Sequence, residues 1–136
     1  MSELKKPPVG TIGWIDLTVP NAVEVRDFYT KVVGYEIAEV SMGDYDDYCL
    51  MVPETDHPAA GVCHASGPNK DLPPTWLIYM TVANVEESLA LVTKNGGEIL
   101  RPAREVGGGL MAVIKDPGGA ISALYQAPEP GTEPTE

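Results

Sequence analysis

The sequence predicts an α+β fold made of two tandem βαβββ modules that share one sheet or one cleft. Two observations carry this. The first is an internal repeat: Ile15–Gly34 (IDLTVPNAVEVRDFYTKVVG) and Ile78–Gly97 (IYMTVANVEESLALVTKNGG) align at a constant offset of 63 residues. Ile15/Ile78, Thr18/Thr81, Val19/Val82, Asn21/Asn84, Glu24/Glu87, Thr30/Thr93, Lys31/Lys94 and Gly34/Gly97 are identical pairs. The second is that each copy gives the same order of signals: a strand, a helix, then three strands. A repeat this long, present twice, is a duplicated module and not a solenoid. Modules of roughly 60 residues are marginal alone, so the two are expected to pack as a unit.

Residues 1–9 read as a flexible polar arm, and the first module spans residues 10–65. Its first strand, Thr11–Val19, is rich in β-branched and aromatic residues and is stopped by Pro20. Asn21 followed by Glu24 has the form of a capping box. Val25, Phe28, Tyr29 and Val32 then fall on one helical face, and Gly34 supplies the stop. Strand-like runs follow at Tyr35–Ser41, Tyr45–Val52 and Ala60–Ala65, with a turn at Gly43-Asp44. Residues 66–75 (SGPNKDLPPT) form the linker.

The second module, residues 76–126, repeats the plan. Asn84 and Glu87 cap the helix, Val85, Leu89 and Val92 form its apolar face, and Gly96-Gly97 end it. Strands follow at Glu98–Arg104, Gly109–Lys115 and Ala120–Tyr125, separated by turns at Gly107–Gly109 and Asp116–Gly119. Gly107–Gly109 is no phosphate loop, because no helix and no Lys-Ser/Thr follow it. Residues 127–136 (APEPGTEPTE) read as a disordered acidic tail.

The net charge of −11 and a pI near 4.4 argue against nucleic acid and against an anionic membrane surface as partners. No run approaches the roughly 18 apolar residues of a membrane span, and the N-terminus lacks the apolar core of a signal peptide. A cytoplasmic protein is expected. Cys49 and Cys63 do not make a disulfide framework and read as buried free thiols.

Paired βαβββ modules, a helix carrying Phe28-Tyr29 and ending in Val33-Gly34, and the Asp116-Pro117-Gly118-Gly119 signal before the last strand are together quite specific. They resemble the vicinal oxygen chelate superfamily of glyoxalase I, bleomycin-resistance proteins and extradiol dioxygenases, over about Gly10 to Gln126. The resemblance implies a curved mixed/antiparallel sheet around one cleft, a small-molecule ligand and a homodimer. In metal-dependent members it implies a ligand early in the first strand of each module and a carboxylate in the last strand. Those positions fall on Trp14, Leu77 and Ala123 here. An indole, an isobutyl group and a methyl group cannot coordinate a cation, which needs several N, O or S donors. The chain is therefore similar to a branch without a metal centre, and no metal and no cofactor are expected.

With Trp14 placed toward the cleft by the resemblance, strand alternation sets Asp16 and Thr18 on its face, and Ile15, Leu17 and Val19 toward the helix. Likewise Leu77, Tyr79 and Thr81 face the cleft, as do Ala123 and Tyr125, while Ile78, Met80 and Val82 face the second helix. The candidate ligand-binding residues are thus Trp14, Thr18, Leu77, Tyr79, Thr81, Ala123 and Tyr125, with Trp14 and Tyr79 as an aromatic wall. Asp16 in an aromatic-lined cleft is the candidate general base, or the binder of a cationic or hydroxyl group. His64 is a second candidate catalytic residue, near where metal-binding relatives carry a carboxylate. It adjoins Cys63, so only one of the two faces the cleft, and the sequence leaves open which. His57 reads as a loop residue. Arg101 and Arg104 read as solvated surface, or as a rim able to hold a carboxylate.

Three functions compete. The first is a metal-free protein of the glyoxalase/bleomycin-resistance type that binds a small, partly aromatic or apolar ligand. The second is a metal-independent lyase or isomerase using Asp16 for proton transfer. The third is a non-catalytic homodimeric interaction module.

Overall fold

A computed structural model describes residues 7–67 and 70–129. Residues 1–6 of the predicted arm, 68–69 of the linker and 130–136 of the tail lie outside the described residues. In chain order the elements are β1 (Ile12–Val19), α1 (Ala22–Val33), β2 (Glu36–Ser41), β3 (Asp46–Met51), β4 (Pro58–His64), β5 (Trp76–Thr81), α2 (Val85–Lys94), β6 (Glu98–Val106), β7 (Gly109–Lys115) and β8 (Ile121–Gln126). This is βαβββ twice, an α+β fold, with element ends within about two residues of the predicted ones. Among the described residues no helix is long and apolar enough to cross a membrane.

The described residues divide into two compact units: one within Trp14–Leu77, and one made of residues 7–13 together with residues 78–129. In the first unit the strand order is β2-β3-β4-β1, in the second β5-β8-β7-β6. In each, the first and last strands of the module pair in parallel and the remaining pairs are antiparallel. The parallel pairs are possible because a helix and two strands lie between their members in sequence, more than the crossover length a parallel pair needs.

Each unit packs its core between one sheet face and its own helix. In the first unit Leu17, Val19, Ala22, Tyr48, Leu50 and Val62 form the buried cluster, with Ile15, Val25 and Tyr29 against it. In the second, Val85, Leu89, Ala112, Ile114 and Leu124 do so, with Met80, Val82 and Val92 against them. The predicted helix-facing sets of β1 and β5 are therefore the core residues, apart from Ile78, which is partly exposed at the start of β5.

The two helices differ from the reading in two respects. Phe28 and Val32 were expected on the core face of α1, but both are mostly exposed. The face in use is Ala22, Val25 and Tyr29. Phe28 sits about 100° around from Tyr29, where it meets that ring edge-on at 5.0 Å. Its repeat equivalent Leu91 is also 55% exposed, like Phe28 itself, so both copies leave the same position out of the core. The second difference is at the caps. Asn84 is extended and its side chain accepts from the Glu87 N–H at 2.9 Å, as a capping residue does. Asn21 makes no such bond; its amide donates to the Glu24 carboxylate at 3.1 Å instead. At the other end Gly34 adopts φ +97° and returns its N–H to the Thr30 carbonyl, a left-handed stop that a side chain would strain.

Removing the two asparagine side chains should therefore have unequal effects. Asn84→Ala is expected to lower unfolding free energy by about 1 kcal/mol, and Asn21→Ala by a fraction of that. Urea unfolding of both variants checks this, and equal losses would show that the two caps are equivalent.

Candidate functional site

With one sheet face of each unit occupied by its helix, the other face is the one left for chemistry. In the first unit, register identifies its residues. Asp16 pairs with Gly61 and Thr18 with Cys63 across the parallel β1/β4 ladder. Cys49 pairs with Gly61 across β3/β4, and the same alternation puts Asp47 opposite Cys63. Trp14, Asp16, Thr18, Asp47, Cys49, Gly61 and Cys63 thus share the helix-free face.

Gly61 explains how an indole fits there. A Cβ on Gly61 would stand 3.1 Å from the Asp16 Cβ and 3.2 Å from the Trp14 Cζ2. The missing side chain lets Trp14 lie over β4 beside Asp16. Asp16 is only 8% exposed, and Asp47 and Thr18 are buried as well. Asp47 accepts the His64 backbone N–H at 2.8 Å. Burial above all, then the charges of Asp16 and Asp47 and a hydrogen bond with Asp47, push the Cys63 thiol far above its ordinary value of 9.0. Burial pushes the Cys49 thiol up also. Both cysteines are free, as expected, but half-buried and not fully enclosed. These thiols are protonated near neutrality, so they are weak nucleophiles.

His64 lies elsewhere. It pairs with Val19, a core residue, and so points to the helix side of the sheet. Its ring stands edge-on to Tyr45 at 5.4 Å and tilted to Tyr48 at 5.8 Å. Arg26 lies 4.6 Å above the Tyr48 ring. An open groove along α1 is lined by His64 with Asn21, Val23, Asp27, Phe28 and Lys31. The structure thus gathers Trp14, Asp16 and Thr18 on one face and sets His64 on the other. No proton can pass directly between Asp16 and His64 through the sheet.

In the second unit the helix-free face is built in two transverse rows. Tyr79, Ala123, Val113 and Arg101 are register partners in turn from β5 to β6, and Thr81, Tyr125, Met111 and Arg104 form the next row. Tyr125 folds over Gly109, where an added Cβ would stand 2.7 Å from the tyrosine hydroxyl. Leu77, the remaining candidate, is a buried residue that ends the first unit. Sequence reasoning gave Arg101 and Arg104 as surface by default, yet both are half-buried. The signal was Pro102 between them, which cannot donate to a ladder and favours a bulge.

The register also tests the metal positions that the fold implies. Asp16 pairs with Gly61 as its repeat equivalent Tyr79 pairs with Ala123. Gly61 is therefore the first module's counterpart of Ala123, and it too offers no donor atom. Among the described residues, no three His, Cys, Asp or Glu side chains are gathered so as to hold a metal ion. The donor set does not fit a metal centre at the positions the fold would use.

Two changes probe this face. Gly61→Ala should cost about 1–3 kcal/mol through overpacking and alter the near-ultraviolet dichroism of Trp14; an unchanged signal would mean the indole is not held against β4. The raised thiol pKa means the folded state keeps a proton that the unfolded state releases. Its stabilisation is complete below about pH 9 and is lost as pH rises above that. Cys63→Ala should flatten the fall in stability between about pH 9 and about pH 11, measured by urea unfolding, relative to the parent chain.

A profile of the Glyoxalase/Bleomycin resistance protein/Dioxygenase superfamily matches residues 11–121. The chain is 30% identical over 120 residues to CFP32 of Mycobacterium tuberculosis, a match that covers 87% of this chain and 46% of that protein. It therefore spans about half of CFP32's length. It is also 30% identical over 113 residues to a lactoylglutathione lyase of Escherichia coli O157:H7, covering 77% of this chain and 84% of the enzyme. Among solved structures, methylmalonyl-CoA epimerase from Mycobacterium tuberculosis superposes with a TM-score of 0.55 at 17% identity, covering 93% of each chain. At that identity the likeness concerns the fold alone.

Proposed function

The chain belongs to the glyoxalase/bleomycin resistance protein/dioxygenase superfamily, and from that premise we propose that it is a metal-free small-molecule-binding member. Its ligand is small and partly aromatic or apolar. One observation carries the reading: the position across β4 from Asp16 is a glycine, and Trp14 fills the space in which relatives with a metal would present a donor. An indole over backbone offers a flat ligand a stacking surface worth about 0.5–1.5 kcal/mol beyond area burial. Thr18 and Asp16 beside it supply hydrogen-bond acceptors for a hydroxyl or cationic group.

A second reading has an observation in its favour. Asp16 is a carboxylate almost wholly removed from water, and one relative is a lactoylglutathione lyase. In that reading Asp16 transfers a proton on an activated carbonyl compound, with no partner needed from His64.

Purification without affinity metal, followed by elemental analysis and native mass spectrometry, tests both. The expected result is zinc, iron, nickel and manganese far below one per chain, and an unfolding midpoint that EDTA leaves unchanged. A tightly held transition metal at one per chain would remove both readings. Asp16→Asn divides them. A retained small-molecule adduct with no turnover to lose supports binding, whereas a loss of about 10²-fold or more in rate supports proton transfer.

A further inference from the structure

We infer that the outer face of α1 is a contact surface for a second copy of this chain, the two helices lying antiparallel about a two-fold axis at Phe28. No residue of the helix-free sheet faces takes part, so the inference is independent of the function proposed above. On α1 the large apolar side chains Val23, Phe28 and Val32 are 43%, 55% and 63% exposed. Phe28 and Val32 stand four residues apart and are therefore neighbours on the helix surface, where they form one apolar ridge. Val23 and Phe28 also line the open groove along this helix, whose volume is about 750 Å³. Apolar side chains scattered singly over a surface need no explanation, but a ridge beside a groove on one element marks a place of contact.

The duplicated module supplies an internal control. At the offset of 63 residues, Val23, Phe28 and Val32 correspond to Glu86, Leu91 and Asn95. The second helix has the same place in its unit, yet it carries a charge and an amide at two of these three positions. The scaffold thus accepts polar residues there. The apolar ridge of α1 is a property of the first copy and not a requirement of the fold.

Charge selects the occupant. With a net charge of −11, two copies of this chain repel each other over most of their surface. Within α1 the charges cancel: Glu24 and Asp27 against Arg26 and Lys31. The exposed residues Glu24, Phe28, Lys31 and Val32 fall at i, i+4, i+7 and i+8, on one side of the helix. This stripe has an acid toward its N-terminal end, a base toward its C-terminal end and an aromatic ring between them. Antiparallel pairing centred on Phe28 sets Glu24 of each copy within about 1.5 Å, measured along the helix axis, of the position of Lys31 in the other. Parallel pairing would set Glu24 against Glu24 and Lys31 against Lys31. The stripe is therefore complementary to itself in one sense only, as a two-fold contact requires. In that pair the Phe28–Val32 ridge of each copy packs into the groove of the other. One helix face offers less than the roughly 800 Å² per partner of a standard interface, so the dimer is weak, with a dissociation constant on the order of tens of micromolar.

Sedimentation equilibrium of the full chain, from about 1 to about 500 μM, tests this, and a reversible monomer–dimer equilibrium is expected. Phe28→Ser and Val32→Glu should each weaken association roughly tenfold or more, whereas Leu91→Ser on the second helix should leave it unchanged. Glu24→Lys and Lys31→Glu should each weaken it, and the two together should restore it, because the exchange recreates the opposite charges across the axis. Unfolding midpoints confirm that each variant folds; Val32→Glu leaves the Phe28–Tyr29 ring contact in place should Phe28→Ser disturb it. A monomer across the whole range, a dimer that Phe28→Ser and Val32→Glu leave intact, or a double charge exchange as weak as the single ones would each overturn the proposal.

Discussion

A β-strand shows its side chains to two sides in strict alternation, and this chain has one helix for each four-stranded set of strands. That constraint governs everything else. One face of each unit closes on its helix and becomes core, with Leu17, Val19 and Val62 in the first and Ala112, Ile114 and Leu124 in the second. The remaining face has no helix to satisfy and is free to carry polar and aromatic groups. Because the period is two residues, a slip of one position would exchange core for site along a whole strand. Hydrophobic burial therefore fixes not only the fold but also which residues are available for function.

The duplication shows what that freedom has been used for. The residues identical between the copies are mostly scaffold: Ile15/Ile78 and Val19/Val82 on the helix side of the first strand, Asn21/Asn84 at the helix starts and Gly34/Gly97 after the helix ends. On the helix-free side of the same strand only Thr18/Thr81 is shared, while Trp14 faces Leu77 and Asp16 faces Tyr79 in the alignment. The two faces have diverged in charge as well. Asp16 and Asp47 make the first acidic, and Arg101 and Arg104 make the second basic. One device is common to both: an aromatic ring laid over a glycine of a neighbouring strand, Trp14 over Gly61 and Tyr125 over Gly109. A Cβ at either glycine would lift the ring, so the glycines shape the surface without touching a ligand.

Much of this was legible from the residues alone. The order of elements, both helices, the turn at Asp116–Gly119 and the facing of β1 and β5 follow from repeat, capping residues and alternation. Asp116 behaves as turn chemistry predicts, its carboxylate accepting the N–H groups of Gly118 and Ala120. What escaped was whatever depends on register between strands. The face of His64 is set by its pairing with Val19 and by where β4 starts after the loop that contains His57, which no local pattern encodes. The two arginines of β6 are brought to one side by bulges, and Pro102 hints at a bulge without saying which way it turns the chain. Phe28 fits an apolar stripe by spacing, yet the face of α1 turned to the core carries Ala22, Val25 and Tyr29 and leaves Phe28 mostly exposed. Asn21 and Asn84 share a motif, but only the second adopts the extended backbone that lets its side chain reach the Glu87 N–H.

The central claim is the assignment of side chains to faces, and proton–proton contacts in solution measure it directly. A nuclear Overhauser spectrum should show the Trp14 indole in contact with the Gly61 α-protons, the Tyr125 ring with those of Gly109, and the His64 ring with Tyr45 and Tyr48. Contacts from Trp14 to Ala22 or Val25 of α1, or from His64 to Asp16, would mean the strands are shifted by one residue and the account is wrong.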